Sequence, residues 1–159
     1  MQRIVNCILS EEDKVLVLQK PSHGWFVAPG GKMESGESIK ETVVREFYEE
    51  TGLKVNEPQL RSVFTIVIEE EGKVVDEWMM FTFAAADYEG ELLKESPEGI
   101  LSWQEREKVL ELPMAAGDYY IFQKILGTDE VVVATFTYSQ DNQLLAYKLD
   151  VAGQLGQKM

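Results

Sequence analysis

The sequence predicts an α/β domain in which recurrent strands build one sheet and a single helix stands out by its charges. Three observations carry this. The chain has 159 residues, the length of one ordinary domain able to bury most of its unfolded surface. Its composition, 45% hydrophobic and 27% charged, is that of a globular protein. Strand-like alternation recurs along the chain and gives way to helical spacing most clearly over Ser38–Thr51. No repeat, low-complexity tract or linker divides it, so residues 1–150 read as one domain and 151–159 as a tail without pattern.

The elements follow in order. Arg3–Leu9 and Lys14–Gln19 are strand runs separated by the acidic turn Glu11-Glu12-Asp13, and Trp25–Ala28 is a third, closed by Pro29-Gly30-Gly31. Ser38, with Glu41 three residues on, forms a capping-box pattern that opens the helix, and Gly52 stops it. Arg61–Glu69 and Val74–Ala84 read as a hairpin across Glu71-Gly72-Lys73. A short strand at Ile100–Trp103 follows the acidic loop Glu95–Glu98. Glu105–Leu112 and Asp118–Ile125 read as helices, broken at Pro113 and Gly117. Val131–Tyr138 and Gln143–Leu149 form a terminal hairpin around Gln140-Asp141-Asn142.

Charge and composition exclude several classes of function. With 28 Asp and Glu against 15 Lys and Arg, the net charge is -13. Such a surface repels bare phosphates and anionic lipid, which argues against long nucleic acid and membrane partners. No apolar run is long enough to span a bilayer and Met1–Ser10 lacks the signal-peptide layout, so a cytoplasmic location is expected. Cys7 and His23 are single, which leaves oxygen donors as the metal chemistry.

The helix breaks its own pattern. Ile39 and Val43 begin an apolar stripe, and Glu46 and Glu50 continue it at helical spacing, where Leu or Val is expected. Glu49 lies on the adjoining flank. Arg45 is spaced to pair with Glu41 and Glu49 and to point away from Glu46 and Glu50. The cluster is either a solvated acidic face or a site for a counter-charge. Mg²⁺ or Mn²⁺ fits the second reading, because both prefer carboxylate oxygens and bridge to phosphate.

The wider spacing is specific. Gly31 is followed after five residues by Glu37, and after seven more by Arg45-Glu46-Phe47-Tyr48-Glu49-Glu50-Thr51-Gly52-Leu53. This matches every fixed position of the Nudix box, and on it the chain resembles the Nudix hydrolases. The resemblance implies an α/β/α sandwich with a mixed sheet, a Mg²⁺ or Mn²⁺ cofactor, and hydrolysis of a nucleoside diphosphate linked to another group. It also implies metal ligands at Glu46, Glu49, Glu50 and the Gly31 carbonyl. Glu49 is the first candidate for the catalytic base and Glu46 for the central ligand, and these roles are exchangeable. Arg45, grouped with them in the catalytic machinery, would with Glu37 hold the loop against the helix. Glu98 resembles the extra carboxylate that MutT-type members bring from outside the box; it can equally be a solvated loop acid.

Beyond the box the chain looks like the MutT-type oxidised-purine nucleoside triphosphatases, from Val15 to Leu149. That implies cleavage of a nucleoside triphosphate, such as 8-oxo-dGTP, to monophosphate and pyrophosphate. The candidate substrate-binding residues are Lys20, Phe26, Gly30, Lys32, Trp78 and Asp118. Lys20 is otherwise an exposed strand-end lysine, Asp118 a helix N-cap, and Trp78 and Phe26 core aromatics. Val27, Ala115 and Gly117 depart from the subgroup's pattern, each replacing a residue that would read or stack on the base. Other expected substrates are nucleotide sugars, dinucleoside polyphosphates and RNA 5′ ends; a further alternative is a non-catalytic binding module of the same fold.

Overall fold

The computed structural model describes residues 1–151, so the expected tail lies outside the described residues from 152 onward. In chain order the elements are β1 (Gln2–Glu11), β2 (Lys14–Gln19), β3 (Phe26–Val27), β4 (Gly30–Lys32), α1 (Ile39–Thr51), β5 (Leu53–Asn56) and β6 (Gln59–Glu70). There follow β7 (Lys73–Ala85), β8 (Asp87–Gly90), β9 (Ile100–Glu105), a 3₁₀ helix (Arg106–Glu111), α2 (Ala116–Gly127), β10 (Val132–Ser139) and β11 (Leu144–Val151).

Among the described residues a nine-stranded sheet runs β11-β10-β6-β7-β1-β2-β3, with β4 also on β1 and β9 on β2. It is mixed, because β1 pairs with β7 and β6 with β10 in parallel, while the hairpins β6–β7 and β10–β11 are antiparallel. The first hairpin turns at Glu71 and Gly72, both with positive φ, which is what a tight turn matched to strand twist requires.

The sheet separates two cores. On one face Val5, Cys7 and Leu9 of β1 pack with Val43 and Phe47 of α1. On the other, Phe64, Ile66 and Phe136 pack with Ile121, Phe122 and Ile125 of α2. Strand alternation sends adjacent residues into different cores, so Cys7 and Ile8 are both buried yet belong to opposite layers. This is the expected α/β/α sandwich. Among the described residues no helix is long and apolar enough to cross a membrane.

Several expectations are corrected. Glu105–Leu112 is not an α-helix: Glu105 ends β9 and Arg106–Glu111 is 3₁₀, with Val109 its one buried residue. Six residues with one buried position carry too little apolar surface to favour α-helical propagation. Gly117 does not break a helix but lies inside α2, where its missing side chain makes room for the Tyr138 hydroxyl. Gly30-Gly31 does not close off the strands, since it continues as β4 beside β1. The small sheet β5–β8 was not expected, because Asp87–Gly90 is too polar and short to read as a strand.

Candidate active site

The helix that carries the carboxylates is locked at both ends. Ser38 Oγ accepts from the Glu41 backbone N–H at 3.0 Å, and Glu41 Oε1 accepts from the Ser38 N–H at 2.8 Å. Gly52 ends the helix with φ of 81° and donates its N–H to the Tyr48 carbonyl. A side chain there would also strike the Glu91 carbonyl, so glycine is required twice over.

Arg45 ties the preceding loop to this helix. Its Nε donates to Glu37 Oε2 at 2.7 Å, and its Nη2 to Glu37 Oε1 at 2.9 Å and to the Lys32 carbonyl at 3.2 Å. The bidentate pair pulls the Glu37 carboxyl down to about 2, aided by the Glu34 N–H. Arg45 does not point away from Glu46, as the helical spacing suggested. Its Nη1 donates to Glu46 Oε1 at 2.9 Å and also reaches Glu49, while Glu41 is used in the cap. Anchorage by Glu37 and the Lys32 carbonyl swings the guanidinium back across the helix, which spacing along α1 alone could not reveal.

The carboxylates divide by burial. Glu50 is 8% exposed, on the face expected to be apolar. Its pKa is raised, first by burial and further by the like charges of Glu98 and Glu46; the Ser96 hydroxyl, which donates to it at 2.8 Å, and Lys20 oppose the rise. Glu46 lies against the Gly31 backbone so closely that a Cβ on Gly31 would fall 2.1 Å from its Oε2. Glu49 is half exposed and turned to Arg45.

Glu46, Glu50, Glu98, Gly30, Gly31, Lys20 and Lys32 line one cavity of about 540 Å³, together with Trp78 and Asp118. Of the expected residues, Glu49, Arg45 and Phe26 are not on its wall. Phe26 is packed in the core beside Ala28 and Val109, since strand alternation turns it inward and presents Val27 to the cavity. Asp118 is not a helix N-cap: it lies in the first turn after Ala115, which occupies the cap position. Burial raises its pKa to about 6, against the opposing pull of Lys20. Lys20 thus acts on both Glu50 and Asp118. Among the described residues no three His, Cys, Asp or Glu side chains converge as a ready-made metal site, since Arg45 engages Glu46 and Glu49. In type, however, the oxygen donors of Gly31, Glu46, Glu50 and Glu98 around one cavity suit a hard divalent cation.

The remaining wall includes residues that motif reading passed over: Asn6, Ile66, Ile68, Met80 and Tyr138. One signal was available for Asn6, an amide placed in a strand between the apolar residues Ile4 and Ile8 on the same side. Val27, Ala115 and Gly117 line the cavity too.

Comparison with known proteins finds relatives of the whole chain. The NUDIX domain profile matches residues 1–125. A Bacillus subtilis protein, described as the uncharacterized Nudix hydrolase YvcI, is 49% identical over 150 residues, covering 94% of this chain and 95% of its own. A crystal structure of a mutator MutT protein from Bacillus halodurans superposes with a TM-score of 0.92 at 57% identity, over 94% of this chain and 98% of that one. The human 8-oxo-dGDP phosphatase is 37% identical over 99 residues, covering 60% of this chain and 28% of that protein.

Proposed function

The chain belongs to the Nudix hydrolase family, and from that premise we propose that it hydrolyses a nucleoside triphosphate to monophosphate and pyrophosphate with Mg²⁺ or Mn²⁺. The single observation that carries the reading is the shared cavity, acidic along the wall formed by Gly31, Glu46, Glu50 and Glu98 and aromatic at Trp78. One wall suits a cation-bridged phosphate chain and the other a base.

Gly31, through its carbonyl, and Glu46, Glu50 and Glu98 would hold the cation, joined by Glu49 once it leaves Arg45. When bound, such an ion neutralises the phosphate chain and acidifies water. Glu49, or Glu46 in its place, would take the proton of the attacking water. Lys20, which acts electrostatically on both Glu50 and Asp118, would orient the phosphates, with Lys32 at the same wall. Arg45 and Glu37 hold the loop after β4 against α1, and Glu46 and Glu49 would have to exchange their pairing with Arg45 for the cation. Trp78 offers a stacking face, and Asp118 a polar group for the base edge.

An oxidised purine such as 8-oxo-dGTP is the first candidate substrate, supported as to its base by the name of the human relative, a phosphatase of the diphosphate 8-oxo-dGDP, and by the polar groups on the base-facing wall. The test is a panel of normal and oxidised nucleoside triphosphates, nucleotide sugars and RNA 5′ ends, with products identified. Pyrophosphate and monophosphate from a triphosphate support the reading. Orthophosphate from triphosphates, or turnover confined to sugars or RNA ends, overturns it.

A further inference from the structure

One row across the sheet is polar where its neighbours are apolar. Ser62 of β6, Thr82 of β7 and Asn6 of β1 lie directly opposite one another in register. All three are buried, at 1%, 0% and 6% exposure, and the next row on the same face is Phe64, Met80 and Ile4. Buried polar groups in a sheet core are destabilising unless partnered, and Ser62 Oγ has no partner among the described residues. Packing alone therefore does not account for the row.

The hydrogen bonds give Asn6 a direction. Thr82 Oγ donates to Asn6 Oδ1 at 2.6 Å. Among the described residues Asn6 Nδ2 has only the Met80 thioether, at 3.8 Å, as its acceptor. The reverse amide orientation would set Oδ1 against that sulfur, which offers no proton, so Thr82 and Met80 together hold the donor end away from Thr82. Sulfur is a weak acceptor and an NH₂ carries two protons, so the cavity wall presents a nearly unspent donor. Asp118, on the same cavity, presents an acceptor when ionised.

We infer that Asn6, oriented by Thr82, is a specificity-determining residue that selects bases with a carbonyl beside a ring N–H, as in guanine, over bases with an amino group there, as in adenine. The inference rests on the proposed reading of the cavity as a nucleotide site. A base carbonyl accepts from Asn6 Nδ2 while the neighbouring ring N–H donates to Asp118. An amino group would instead meet the Asn6 donor head-on and leave a buried group unpaired. Thr82 acts through Asn6 and is a positioning residue.

The test compares GMP with AMP in equilibrium binding without added metal, and GTP with ATP in turnover, for the wild type and for Thr82→Val, Thr82→Ser and Asn6→Asp. The wild type should favour the guanine nucleotide by roughly tenfold or more. Thr82→Val, nearly isosteric, frees the amide to turn and should collapse the ratio; Thr82→Ser keeps the hydroxyl and should restore it. Asn6→Asp exchanges the donor for an acceptor and should shift preference toward adenine, a reversal that a merely structural role would not produce. Thermal melts identify variants that fail to fold, and the Val and Ser pair decides if Asn6→Asp is one of them. An unaltered ratio in folded Thr82→Val, or a wild type indifferent to the base, overturns the inference even when triphosphates are hydrolysed. Guanine-selective binding without triphosphate hydrolysis sustains the inference and overturns the proposed reaction. Absence of both binding and hydrolysis overturns both.

Discussion

The two walls of the cavity are built in opposite ways. The acidic wall comes mainly from one continuous stretch, β4 through α1, closed by Glu98 from the loop before β9. The opposite wall is assembled from β1, β6, β7, β10 and α2, with Asn6 and Met80 separated by 74 positions along the chain. The first is rigid through local bonds: the capping box, the Arg45–Glu37 pair and the glycine cap. The second exists only once the parallel pairings β1–β7 and β6–β10 have formed. Local chemistry is written where charge must be exact in position, and distant packing where shape must be matched.

The most forceful way to break this contrast is at the carboxylates. Glu46→Gln, or removal of divalent metal by chelation, should lower turnover by roughly 10²–10⁵, or about 3–7 kcal/mol of barrier. Circular dichroism should meanwhile show an intact fold; full rates after complete chelation would remove the metal assignment.

The adjacent glycines sharpen it next. A Cβ on Gly30 would lie 2.0 Å from the Val5 carbonyl and 2.5 Å from Asn6 Cα. Gly30→Ala must therefore part β4 from β1, at about 3 kcal/mol of stability. A Cβ on Gly31 meets only the mobile end of Glu46 at these distances. Gly31→Ala should keep most of its stability while losing turnover. Urea midpoints beside rates separate the two, and equal loss of stability would contradict the distinction.

On the opposite wall the effects are smaller. Asp118 has its pKa raised from 3.8 to about 6, so the folded state holds the proton more tightly than the unfolded. Its stabilising contribution is complete below the unfolded value and is lost as pH rises through the folded one. Asp118→Asn should therefore gain on the wild type by about 2 kcal/mol as pH rises from about 4 to about 7. A pH series of unfolding midpoints checks this, and a constant difference would refute it. Trp78→Phe should weaken nucleotide binding least, by about 1 kcal/mol or roughly fivefold, and should remove part of the fluorescence change on binding.

The same contrast explains what was legible in the sequence. Gly31 to Leu53 announced itself by spacing, and Glu50 was already conspicuous as an acid in an apolar stripe. The capping box, the glycine stop and both long hairpins were readable because they depend on residues within a few positions of one another. Met80 and Tyr138 were not, since their meaning comes from strand partners tens of residues away, and Asn6 showed only as an amide in an apolar alternation. Phe26 stood open between cavity and core because a strand of two residues gives too little alternation to say which face it shows; the structure places it in the core. Arg45's reach to Glu46 was hidden because its anchors, Glu37 and the Lys32 carbonyl, are outside the helix.

The sheet that parts the two cores has a wider consequence. Glu46, Glu49 and Glu50 ride on a helix seated in one core, whereas Ile66, Trp78, Met80 and Tyr138 belong to the other. Side chains that share no partners change stability almost additively. Substitutions of Ile66, Trp78, Met80 or Tyr138 should therefore leave the packing of α1 nearly undisturbed. The two walls of one cavity thus rest on separate foundations, and either can be altered with the packing of the other nearly intact.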